Sequence, residues 1–119
     1  MGTPSTELWQ SLVDAFAGIG DGVHQNWVTE RVKYPDFEEN REINDLLASL
    51  SDAQRRVLAN MLVDARHGGI FDALVVLHER LIFNEGKYSE RGVQMEIEPH
   101  GYTLFEDYLS RRSGHDWSE

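Results

Sequence analysis

The most regular apolar patterning in the chain lies between Leu50 and Asn84, LSDAQRRVLANMLVDARHGGIFDALVVLHERLIFN. Val57, Leu58, Met61, Leu62 and Ala65 recur at helical spacing, with Arg55, Arg56, Asn60 and Asp64 off that stripe. Ser51 suits the N-cap, and Gln54 three residues on can reach back to its amide. Beyond Gly68-Gly69 the apolar residues Ile70, Phe71, Leu74, Val75, Leu77, Leu81 and Ile82 fall about half a turn from the continuation of the stripe. Asp72 and Glu79 stand where one uninterrupted stripe would need apolar residues. The pattern therefore predicts a central pair of helices broken at the glycines, because glycine readily takes the left-handed conformation that ends helices. One kinked helix is the alternative. Arg66 and His67 would then close the first helix at its negative end. The second helix is apolar around most of its girth, so it is expected to be the most buried element, ending near Gly86.

The flanking chain reads as shorter elements. Thr3-Pro4 or Ser5 starts a helix whose face is Leu8, Trp9, Leu12, Val13 and Phe16, reaching about Ala17. The glycine-rich AGIGDG weakens any helix there and predicts a loose joint. A short helix follows from about Asp21 to Val32, stopped by Lys33-Tyr34-Pro35. Asp36 with Glu39 resembles a capping pair for a helix from about Phe37 to Ser49, with Ile43, Leu46, Leu47 and Leu50 on its apolar face. Val93, Met95 and Ile97 alternate with polar residues, which predicts a strand over Val93–Glu98. That strand pairs with Lys87–Ser89 through a turn ending at Gly92. Tyr102, Leu104, Phe105, Tyr108 and Leu109 predict a last helix to about Arg112, after which Trp117 is expected to fold back into a pocket. The fold class is thus mainly α: a compact bundle of about five to six helices around the central pair, with a small β-hairpin before the last helix, in a single domain over residues 1–119.

Composition narrows the function more than the fold. Twenty-one acidic residues against eleven basic ones give a net charge of −10. That charge repels nucleic acid backbones and anionic membranes, and it speeds encounter with a basic partner. There is no cysteine, which excludes disulfides, thiolate metal sites and cysteine catalysis and suits a reducing cytosol. Neither a charged leader followed by an apolar run nor a stretch approaching about 20 apolar residues is present, so a cytoplasmic location is expected.

The run LASLSDAQRRVLANMLVDARHGGIFDALVVL resembles the central segment of a group of small bacterial proteins known only as domains of unknown function. KYSERGVQMEIEPHGYTLFEDYL and GHDW stand where that group has a glycine-containing turn, an apolar strand, a glycine-led aromatic helix and an acidic-Trp ending. The resemblance covers about two-thirds of the chain, from Leu47 on, and the glycine-rich joint before His24 departs from the group. It implies a mostly helical domain and brings no activity and no site residues.

Candidate chemistry is sparse. GIGDG lacks the preceding strand and the following GK[ST] that a phosphate loop needs. His78-Glu79 begins like a zincin motif, but Ile82 replaces the second ligand. Asp64 and His67 have metal-ligand spacing, which is common by chance. His67, Asp72, His78 and Glu79 would form an acid–base set only if two helices brought them together. No cofactor, metal or catalytic residue is predicted. Asp36, Glu38, Glu39, Glu42 and Asp45 make the start of one helix strongly acidic. The expectation is an acidic binding protein that docks a basic protein through these five residues, in its narrower form an immunity or antitoxin-type protein. A self-associating accessory or regulatory protein and a weak acid–base enzyme stay open as alternatives.

Overall fold

The computed structural model describes residues 2–117. Its helices are α1 (Pro4–Ala17), α2 (His24–Thr29), α3 (Arg41–Ser49), α4 (Asp52–Phe83) and α5 (Leu104–Arg112). A single 3₁₀ turn spans Glu38–Asn40, and two strands, β1 (Ser89–Glu90) and β2 (Val93–Gln94), precede α5. The protein is mainly α, with the hairpin where the alternation put it. Among the described residues no helix is long and apolar enough to cross a membrane.

The chain packs as two compact units. One gathers the described residues up to Gly20 and from Gly69 on; the other is Asp21–Gly68. In the first unit Trp9, Val13, Leu74, Leu81, Met95, Leu104 and Tyr108 form a buried cluster. The Thr3 hydroxyl caps α1 by accepting the Thr6 amide, and Pro4 occupies the first turn, where its missing N–H costs nothing. Arg91 and Gly92 form the two-residue hairpin loop, both at positive φ (51° and 80°), as a turn matched to strand twist requires. The register pairs Ser89 with Gln94 and Glu90 with Val93. The second strand is two residues long rather than running to Glu98. Thr103 starts α5 with a full capping box to Glu106, one residue after the expected Tyr102 start.

The second unit holds α2, the 3₁₀ turn, α3 and the first half of α4 around Val28, Leu47 and Ala59. Helix α2 is shorter than the expected Asp21–Val32. It closes with Val32 at φ 55° while the Lys33 amide reaches back to the Trp27 carbonyl, 2.9 Å. Asn44 clamps both backbone groups of Tyr34, accepting its amide at 2.7 Å and donating to its carbonyl at 3.2 Å. The expected capping of a helix by Asp36 and Glu39 does not form: Phe37 stands at the start of the 3₁₀ turn without a side-chain cap.

The expected break at Gly68-Gly69 is also absent. Helix α4 is one 32-residue helix capped by the predicted Ser51–Gln54 box. Its buried residues are Ala59, His67, Leu74, His78 and Leu81, eight, seven, four and three positions apart, and half-buried residues such as Leu58, Leu62, Ile70 and Phe71 flank them. The apparent change of phase has a simple cause. Val57 and Met61, counted into the stripe, are 62% and 61% exposed, whereas His67 and His78, counted as polar, are 4% and 5% exposed. With those residues exchanged, the buried stripe crosses the glycines without a break. The helix stops where Glu85 takes φ 53° and the Gly86 amide bonds the Arg80 carbonyl at 3.0 Å. A Cβ on Gly86 would lie 2.8 Å from that carbonyl oxygen, so close approach requires glycine there.

Candidate functional site

A cleft of about 570 Å³ opens in the first unit, a volume typical of small-ligand pockets. Helix α5 supplies Glu106, Asp107, Ser110 and Arg111 to its wall. The loop before α5 adds His100 and Tyr102, and the tail adds Asp116 and Trp117. The capping box sets the start of α5, so Glu106, Asp107 and Ser110 recur at three- and four-residue spacing along one side of the helix.

Four of the wall residues, Asp107, His100, Arg111 and Trp117, are held by further side chains. Trp9 Nε1 donates to Asp107 Oδ2 at 2.8 Å, and Asp107 is 6% exposed. The Gln10 side-chain amide meets His100 Nε2 at 3.0 Å; with the amide as donor, His100 carries its proton on Nδ1. Arg111 donates to Asp14 at 2.7 and 3.4 Å and lies 5.1 Å from the centre of the Trp117 ring, a cation–π distance. Trp117 Nε1 donates to the same Asp14 at 3.0 Å, and its ring leans on His100, 5.5 Å between centroids. The tail tryptophan thus folds back as expected and becomes a wall of the cleft.

Asp107 is electrostatically set apart. Burial pushes its carboxyl above the ordinary carboxylate value; the Trp9 hydrogen bond and the nearness of His100 pull it back, and Glu106 pushes it up again. The ionised form is therefore the one that the fold penalises. That penalty is absent below the unfolded value, near pH 3.8, and grows as pH rises through the raised native value. Asp107→Asn is accordingly expected to gain stability relative to the native protein as pH rises from 3.5 to 7, measured by urea melts of both proteins. A difference that shrinks with rising pH would show the carboxylate to be stabilised instead.

The five predicted acidic residues lie elsewhere, in the second unit, and all are exposed. Asp36 approaches Lys33 Nζ at 3.6 Å and Glu38 approaches Arg41 at 3.6 Å, with both carboxylates largely in solvent. The proposed acid–base set does not assemble. His67 is not at a helix end but inside α4, paired with Asp21 at 3.2 Å. His78 lies eleven residues further along α4, in the first unit. It donates from Nε2 to Glu98 at 2.7 Å and accepts the Leu104 amide on Nδ1 at 3.4 Å, which satisfies a free donor of the first turn of α5. Asp72 and Glu79 are exposed, and none of the four lines the cleft. Among the described residues no three His, Asp or Glu side chains are grouped to hold a metal. At the end of the glycine-rich joint, Gly22 lies against the Arg66 guanidinium, 2.9 Å from where its Cβ would be.

Residues 2–119 match DUF6547, a family of unknown function. The chain belongs to that family. No curated protein and no solved structure matches it. For this DUF6547 chain the family carries no chemistry to transfer, and the cleft has to be read from its own side chains. Sequence reasoning passed over it because its pairs are remote: Trp9 with Asp107 and Asp14 with Arg111 are 98 and 97 positions apart. The local signal was the density of aromatic and charged residues in EPHGYTLFEDYL and GHDW, which read as a helix start and a tail.

Proposed function

We propose that this chain is a binding protein that docks a basic protein partner through the surface from Asp36 to Leu46. One observation carries the reading: five exposed carboxylates are interleaved there with exposed Phe37, Ile43 and Leu46, which are 62%, 38% and 53% exposed. Single exposed apolar side chains are ordinary, but three within ten residues beside a dense charge are what a docking face combines. The same stretch holds one basic residue, Arg41. Its pairing with Glu38 is exposed and contributes little, so the field stays acidic. Such a field raises the encounter rate with a basic surface, and the apolar residues then supply the contact that salt does not screen. The narrower form of this reading is a cytosolic immunity or antitoxin-type protein that occupies a basic partner.

Capture from native-host lysate at low and high salt tests it, with the native chain beside a Glu38→Lys/Glu39→Lys/Glu42→Lys variant. One dominant basic protein, weakened by salt and lost with the variant, is the expected result. A partner retained by the variant, or none at either salt, would remove the docking surface. A dimer in light scattering at both salts, unchanged by the variant, would favour self-association.

A further inference from the structure

We propose that the cleft between the start of α5 and the folded-back tail binds a small organic cation, a guanidinium or alkylammonium group, between the carboxylates of Asp107, Glu106 and Asp116 and the ring of Trp117. The inference does not rest on the docking surface of the other unit.

Three observations converge on this ligand chemistry. The first is the state of Asp107. Its side chain is more than nine-tenths buried, yet among the described residues Trp9 is its hydrogen-bond partner, and Trp9 engages Oδ2 alone. No buried side-chain nitrogen or oxygen among the described residues lacks a partner. Oδ1 is therefore not sealed into the protein, and Asp107 lines the cleft. A carboxylate so withdrawn from water, with one oxygen left to a ligand, favours a cationic donor, because charge-assisted hydrogen bonds are the strong ones where solvent is scarce.

The second observation is the charge balance of the wall. Glu106, Asp107 and Asp116 stand against Arg111, and Arg111 is already engaged: Asp14 takes it at 2.7 and 3.4 Å and the His115 carbonyl accepts its third N–H at 2.9 Å. An anion entering the cleft would meet three carboxylates and a guanidinium whose donors are largely committed. A cation would meet the carboxylates: Asp116 is held only by a loose, exposed pair with Arg111 at 3.9 Å, and Glu106 has Oε1 engaged in the capping box of α5. The third is the aromatic wall. Trp117 already carries the Arg111 guanidinium at 5.1 Å, and Tyr102 adds a second ring to the lining. Aromatic faces attract cations, and tryptophan does so most strongly.

The three tryptophans make the test direct. Trp9 donates to Asp107 and Trp117 lines the cleft, whereas Trp27 belongs to the other unit, packed on His24 and Tyr34. The indole N–H signals of the ¹⁵N-labelled full chain would be followed during addition of n-butylguanidinium or n-butylammonium chloride, with sodium butyrate as the anionic control. Saturable shifts of the Trp9 and Trp117 signals, with a dissociation constant of about 1 mM or below and Trp27 unmoved, are expected. Asp107→Asn should weaken binding about tenfold, the size of a lost charge-assisted hydrogen bond. Should that variant not fold, Asp116→Asn should weaken it about threefold through the charge alone. No saturation, an equal response to butyrate, movement of Trp27 in parallel, or unchanged affinity in a folded variant would overturn the proposal. Acetyl-Gly-Arg-Gly-amide identifies the source. Binding weaker than butylguanidinium assigns the cleft to a free small cation, and equal or tighter binding assigns it to the arginine of a polypeptide.

Discussion

Trp9→Ala is expected to cost about 4 kcal/mol, a large share of the stability of a protein this size. Trp9 is 0% exposed at the centre of a cluster that includes Val13, Leu74, Leu104 and Tyr108, so the cavity left behind would be lined on all sides. It also donates the hydrogen bond that Asp107 receives. The two contributions separate with Trp9→Phe, which keeps much of the ring volume and removes the donor. That variant alone is expected to lose about 2 kcal/mol, because a buried carboxylate is left without its partner. Combined with Asp107→Asn the further loss should be much smaller, since a neutral amide needs the donor less. Urea melts of the four proteins give the coupling energy of the pair. A coupling near zero would mean that Trp9 acts by packing alone, and a Trp9→Ala cost below about 1 kcal/mol would contradict its central place in the core.

The Trp9–Asp107 bond also shows where a single sequence stops being legible. What is local could be read. Thr3 and Pro4 announce α1, the Ser51–Gln54 pair announces α4, and the glycine after Arg91 announces a hairpin, because each is a bonding requirement met within three or four residues. What depends on remote contacts was not available. Nothing within a few residues of Asp107 marks it for burial, because its indole partner lies 98 positions earlier. The same gap misplaced His67, which was expected at a helix end. A hydrophobic count scores His67 and His78 as polar, yet Asp21 and Glu98 satisfy their rings and allow both to be buried. Conversely Val57 and Met61 carry the right hydrophobicity at helical spacing and stay in solvent. Periodicity reports which residues are able to be buried; the contacts made by distant chain decide which of them are.

That distinction yields a test of α4 itself. Gly68→Ala and Gly69→Ala are each expected to stabilise the protein by about 1 kcal/mol, and the double variant by about 2 kcal/mol, the difference in helix propensity between the two residues. The condition for a gain is that the native backbone already suits alanine. Neither glycine has a positive φ, both lie inside the helix, and apart from the adjoining residues and backbone of the helix itself nothing stands within 4 Å of where either Cβ would be. Alanine therefore limits the unfolded chain without meeting any neighbour in the folded one. Two helices joined by a turn at these glycines would respond in the opposite way, since alanine in a left-handed turn is strained and would destabilise. Gly69→Pro sharpens the contrast. In a continuous helix it removes a backbone hydrogen bond and clashes one turn back, costing about 3 kcal/mol or more, so alanine and proline move the stability in opposite directions; in a left-handed turn both would be strained and both would destabilise. Chemical denaturation of the alanine pair and the proline variant gives a difference of about 5 kcal/mol between them if α4 is one helix. The alanine arm also carries a functional reading. If uninterrupted α4 is the working form, the double-alanine variant should keep the salt-sensitive capture of a basic partner while melting higher. Loss of capture in a more stable protein would mean that the glycines are retained because α4 has to bend.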